Sequence, residues 1–184
     1  MSTASRFHGV TVTLVDTGAR TIALPSTSII GLCDTFTPGI KATAKPNDLV
    51  LLTSEREAIA AFGDDSAITR AAKAVFLKAK AVIVACGVAQ LEDEALQTSA
   101  IIGGVLASGQ RTGLQALLDG KSRFNAQPRL LIAPKHSATQ AVATAMDALA
   151  GKLRAIAIVD GPNTTDEAVL AYAQEFGSKR IYMV

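Results

Sequence analysis

The chain has 184 residues, of which 49% are hydrophobic and only 18% charged, with a formal net charge of +2. That length suits one sizeable domain with a true core, or a domain carrying an extended arm. The charge share lies below the roughly one quarter of an ordinary soluble chain, and mean hydropathy is +0.31; some apolar surface is therefore expected to be covered by something other than this chain. No basic stripe with interleaved aromatics appears, aromatics make up 4% and Trp is absent, which speaks against nucleic-acid binding.

The N-terminal "MSTASRFHGVT" has no apolar core of a secretory signal, so the product is expected to be made in the cytoplasm. No uncharged stretch has the length and composition of a membrane span. The alternation of "VTVTLV" (Val10, Thr11, Val12, Thr13, Leu14, Val15) is that of a half-exposed strand. "ARTIALPSTS" reads as an extended edge or linker around Pro25. "SIIGLCDT" follows as a buried strand, then a Pro- and Gly-containing loop over 36–48, and the strand "LVLLT" over 49–53. "SEREAIAAFG" is a short helix closed by Gly63, "AITRAAKAVFLKAKA" a longer amphipathic one, and "AVIVACGV" over 81–88 the next buried strand.

Residues 92–108 are ambiguous: "AIIGGVLAS" reads either as a helix weakened by two glycines or as a strand and turn. "RTGLQALLDG" is a short helix ended by Gly120. The remainder alternates cleanly: strand "PRLLIAP", helix "SATQAVATAMDALAGK", strand "RAIAIVD", helix "TTDEAVLAYAQEFG", strand "RIYMV". Such alternation predicts an α/β fold of βαβ units, with a mainly parallel sheet covered by helices and an extended N-terminal β arm. We divide the chain into an arm over 1–24 and an α/β domain over 25–184. Cys33 and Cys86 lie inside apolar runs and read as buried thiols, with a disulfide between adjacent strands left open.

Three strand ends carry helix-starting spacings: Ser54 with Glu57, Ser137 with Gln140, and Thr164 with Glu167. In a capping box the hydroxyl accepts from the third backbone N–H, and the acid or amide reaches back to the cap. Repetition at three strand ends favours architecture over a single active site, so Asp160 in "AIVDGPNTTDE" is read as shaping a turn. The competing enzyme reading, a hydrolase or transferase, takes His136, Ser137 and Asp160 as its residues. Adjacent Ser and His align poorly for proton transfer, and no G-x-S-x-G elbow is present; His8 is a weaker candidate still. "GGVLASGQRTG" fails as a phosphate loop because Gln110 and Arg111 stand where Lys and Ser or Thr belong. No dinucleotide fingerprint and no metal-ligand spacing is found, so no cofactor, metal or small-molecule substrate is expected.

The stretches "FHGVTVTLVDTGARTIALPSTSIIGL", "NDLVLLTSEREAIAAFG", "SGQRTGLQALLDGKSRFNAQPRLLIAP" and "AIAIVDGPNTTDEA" together resemble the tail sheath protein of contractile-tailed bacteriophages, nearest to P2-like phages and R-type pyocins. The resemblance implies a non-catalytic structural polymer: hexameric rings of sheath subunits stacked around an inner tail tube, between baseplate and tail terminator, contracting to drive the tube through a cell envelope. It implies a virion tail location after assembly in the bacterial host cytoplasm, and an N-terminal arm that adds a strand to a neighbouring subunit through Val10–Val15. Family members are roughly twice this long, so the chain resembles an N-terminal half. Lys135 stands where the family resemblance leads us to expect glycine; a positive φ there would strain a lysine.

Overall fold

The computed structural model describes residues 29–39, 42–162 and 164–184; Val10–Val15, His8 and the 1–24 arm lie outside them. Six strands form one sheet: β1 (Ile29–Phe36), β2 (Leu49–Leu52), β3 (Val82–Ala89), β4 (Leu130–Ile132), β5 (Ile156–Val159) and β6 (Ile181–Met183). Their order is β2-β3-β1-β4-β5-β6, with every pairing parallel except that of β2 with β3. The central strands β1 and β3 pair over eight residues, from Ile29 opposite Val82 to Phe36 opposite Ala89. Their near-continuous apolar runs suit strands buried on both faces.

Two cores lie on opposite faces of this sheet. One is closed by α1 (Glu55–Phe62) and α2 (Ala67–Lys78), and holds Leu32, Phe36, Leu52, Phe62, Ile68 and Ile83. The other is closed by α3 (Glu94–Ile102), α4 (Gly113–Ala116) and α6 (Gln140–Leu153), around Cys33, Val84, Cys86, Leu114, Leu131, Met146 and Leu149. A 3-10 turn over Leu117–Asp119 and α5 (Gly120–Phe124) continue α4, and α7 (Asp166–Gln174) joins β5 to β6.

Right-handed crossovers explain this division. The single step from β1 towards β3 places α1 and α2 on one face. The steps from β3 to β4, β5 and β6 all run the opposite way, which places α3–α7 on the other.

Several local expectations are corrected. Gly120 does not end a helix; with φ −56° and ψ −41° it starts α5, and the chain turns instead at Asn125, which is left-handed. The ambiguous 92–108 segment is both alternatives in succession. Helix α3 stops at Gly103, and an antiparallel bridge between Val105 and Arg111 then closes a small hairpin. Cys33 and Cys86 are register partners on β1 and β3 and both are free, buried thiols. The Cys86 hydrogen bond, followed by burial, pushes the Cys33 thiol well up, so it behaves as a small apolar side chain.

Candidate functional site

The three residues of the enzyme reading lie at the carboxyl ends of β4 (His136, Ser137) and β5 (Asp160), the side of an open α/β sheet where ligands ordinarily bind. What matters is how they are joined. The Ser137 hydroxyl donates to Asp160 Oδ2 at 2.9 Å and accepts from the Asp160 backbone N–H at 3.0 Å. Ser137 is 1% exposed. Its own N–H bonds the carbonyl of Ala133, and its carbonyl accepts from the Tyr172 hydroxyl at 3.1 Å. Burial, then the nearby Glu175 carboxylate, raise the Tyr172 pKa above its usual value, so the donor keeps its proton. Ser137 thus ties the end of β4 to the end of β5 and to α7.

His136 takes no part in this. Its Nε2 lies 3.4 Å from Asp34 Oδ1 on β1. Asp34 is itself buried, and also accepts from the Thr35 N–H at 2.7 Å. The three residues of the enzyme reading therefore divide into two structural pairs, Ser137 with Asp160 and His136 with Asp34. A nucleophilic serine needs an imidazole to take its proton and a path for substrate. Here the hydroxyl proton is directed at a carboxylate and the oxygen is covered. Asp34 was missed in the sequence, although its place at the end of an apolar run was a signal. A cleft of about 520 Å³ lies beside it, bordered by Thr35, Arg70 and Lys135 among others. Among the described residues no group of three or more His, Cys, Asp or Glu could hold a metal ion, and no helix is long and apolar enough to cross a membrane.

The three capping spacings fare differently. Ser54 caps α1: its side chain accepts from the Glu57 N–H at 3.4 Å. Glu57 reaches one residue further back than a standard box, taking the Thr53 N–H at 2.6 Å and the Thr53 hydroxyl. Those bonds hold its carboxyl below the usual range. The Thr164–Glu167 box does not form. The Thr164 N–H is committed to the Pro162 carbonyl, so α7 starts one residue later, with Thr165 accepting from Ala168 at 3.3 Å. The Ser137–Gln140 box does not form either, because Ser137 is taken by Asp160. Thr139 is the N-cap of α6, without a side-chain bond, and the Gln140 amide donates to Glu175 instead.

Removing the Ser137 hydroxyl in Ser137→Ala leaves the Asp160 carboxylate and its N–H without this partner. We expect a loss of about 1–2 kcal/mol, measured by urea unfolding. Lys135, in the turn between these pairs, has φ +63°, the left-handed conformation anticipated there. Lys135→Gly relieves about 1–2 kcal/mol of strain against about 0.5–1 kcal/mol of added unfolded-state entropy. A net gain of up to about 1.5 kcal/mol is expected, seen as a modest rise in Tm.

The chain is thus a mainly parallel α/β unit in which the strand-end pairs Ser137–Asp160 and His136–Asp34 brace one strand against the next. Residues 27–88 match the family model described as "Tail sheath protein Gp18 domain III N-terminal region". The chain is 70% identical over 180 residues to a prophage major tail sheath protein of Pseudomonas aeruginosa (strain UCBPP-PA14), covering 98% of this chain and 47% of that protein. It is 32% identical to the tail sheath protein of Escherichia phage P2, over 96% of this chain and 46% of the relative. The fold matches, with a TM-score of 0.53 at 13% identity, a chain in the contracted-state cryo-EM structure of the anti-feeding prophage baseplate, covering all of this chain and 47% of the other. The chain belongs to the tail sheath protein family, a structural family and not an enzyme family. It spans about half the length of the curated relatives it matches.

Proposed function

We propose that this chain forms part of a contractile tail sheath subunit. In this reading, subunits polymerise as stacked hexameric rings around the inner tail tube, between baseplate and tail terminator. The rings are assembled in the host cytoplasm, become part of the virion tail, and contract to push the tube through the host envelope. The observation that carries the reading is 70% identity across 98% of the chain to a prophage major tail sheath protein. The pairs Ser137–Asp160 and His136–Asp34 support it, since they brace neighbouring strands into one frame.

The arm over 1–24 is proposed as the link between subunits, with Val10–Val15 adding a strand to a neighbour's sheet while the domain over 25–184 supplies the body. An alternating strand of this kind is a template for such addition. The test is a chimera in which this sequence replaces the aligned stretch of the Pseudomonas aeruginosa protein. Rings or tubes are expected in negative-stain electron micrographs. A chimera that is folded but strictly monomeric at high concentration would sink the proposal.

A further inference from the structure

Parallel sheets are normally covered on both faces, and among the described residues nothing covers half of one face of this sheet. On β4, β5 and β6, the residues Leu131, Ala157 and Val159 turn into the core closed by α6. Their neighbours point the other way, and their exposure rises outward: Ile132 and Ile158 are half-buried, Ile156 is 46% exposed and Tyr182 is 65% exposed. Leu130 pairs with Ile156 and Ile158 with Tyr182, so these side chains form one continuous apolar strip. Helices α1 and α2 stop short of it because, among the described residues, the one crossover running in their direction along the sheet joins β1 to β3. No connection running from β4 to β6 can reach it without reversing handedness.

A second feature adjoins the strip. Helix α2 buries Ile68, Thr69 and Ala72 against the sheet. Its flank, with Ala67, Ala71, Ala74 and Val75 at successive helical turns, lines a groove of about 350 Å³ together with Ile132 and Pro134, and Asp34, Arg70 and Lys135 also border it. Small side chains at that spacing leave room for another helix to approach to about 8–10 Å.

We propose that this face seats a further layer of the sheath polypeptide, an amphipathic helical layer that packs beside α2 and over Ile156, Ile158 and Tyr182. Its source is the portion of a full-length sheath subunit that the aligned stretch does not include. The P2 and Pseudomonas aeruginosa relatives each have more than half their length outside the alignment. The relative that is 70% identical is expected to share these strands, and so needs the same cover. The inference rests on the sheath reading only in naming that source.

The test uses thiol labelling, since the chain's two cysteines are both 0% exposed. Ile156→Cys is made in this chain and at the aligned position of the full-length Pseudomonas aeruginosa protein, each compared with its parent. Labelling with a maleimide is followed in dilute, unassembled protein, with labelling in denaturant as the reference. The exposed site in this chain should react at close to its denatured rate, and the site in the full-length protein at least about 100-fold more slowly. Equal rates in the two proteins overturn the proposal. Two other outcomes also overturn it: protection that depends on concentration, which assigns the face to a second copy, and slow labelling of this chain that deletion of residues 1–28 relieves, which assigns it to that segment. Should Ile156→Cys unfold this chain, Tyr182→Cys at the rim gives the same comparison. Failure to polymerise leaves the result standing, because the readout is taken on separate subunits.

Discussion

Gly103→Ala is expected to cost about 3–5 kcal/mol, enough to unfold much of the population of an ordinary domain. A Cβ on Gly103 would lie 1.9 Å from the Thr112 carbonyl oxygen and 2.4 Å from its carbon, and φ is +69°. Both obstacles are backbone, so no side chain can swing aside. Gly113 faces it from the other strand of the hairpin, and its own Cβ would meet the carbonyls of Ile101 and Ala100 at 2.4 and 2.5 Å. The crossing is fastened by Thr112, whose N–H bonds the Gly104 carbonyl and whose hydroxyl accepts from the Gly104 N–H, and by Asn47, which accepts from the Gly113 N–H. Gly104→Ala is the control: its φ is unremarkable and nothing lies within 4 Å of the added carbon. Denaturant unfolding should place it within about 0.5 kcal/mol of the parent.

The second large effect is expected at Gly87→Ala, about 3 kcal/mol. Gly87 lies in β3, and an added Cβ would come 2.6 Å from Phe62 Cε1 and 2.7 Å from Phe36 Cδ1. Those rings form an edge-to-face pair with centroids 5.3 Å apart and planes at 74°, and both are 1% exposed. Overpacking such a site commonly costs about 1–3 kcal/mol; two rings on one methyl place this case at the top of that range. Because the obstacle is side chain, relief is possible. Gly87→Ala with Phe62→Leu should recover part of the loss, giving a coupling energy of about 1 kcal/mol in a double-mutant cycle. Additive losses would show that the rings are not the cause.

The sheet and its helices could be read from the residues because the apolar runs are long and the periodicity changes cleanly, as from "AIAIV" to "DEAVLAYAQ". The antiparallel placing of β2 could not: "LVLLT" carries no mark of direction. The caps failed where a hydroxyl had two possible partners. Ser54 found only its own helix, whereas Ser137 lies 23 residues from Asp160 along the chain, and a spacing pattern cannot see a bond of that range. Thr164 lost to Thr165 because Pro162 set the preceding turn. The pattern of "AIIGGVLAS" leaves Gly103 between a weakened helix and a strand and turn, and marks nothing at Gly113. Gly113 lies inside "SGQRTGLQALL", a stretch that carries the family resemblance, and the backbone contact supplies a physical reason for glycine there.

The position of β1 at the centre of the sheet bears on how the chain is made. Ile29 must wait for Val82, 53 positions on, and Ile30 for Leu130, 100 positions on, before either edge of the strand is paired. At ribosomal rates of about 5–20 residues per second, one edge stays open for roughly 3–10 s and the other for about 5–20 s. For that time "IIGLC" is an unpaired apolar strand in the nascent chain, the kind of segment that joins other copies out of register. Slowing translation between codons 36 and 130 should therefore lower the yield of soluble protein, while a chaperone that holds extended apolar segments should restore it.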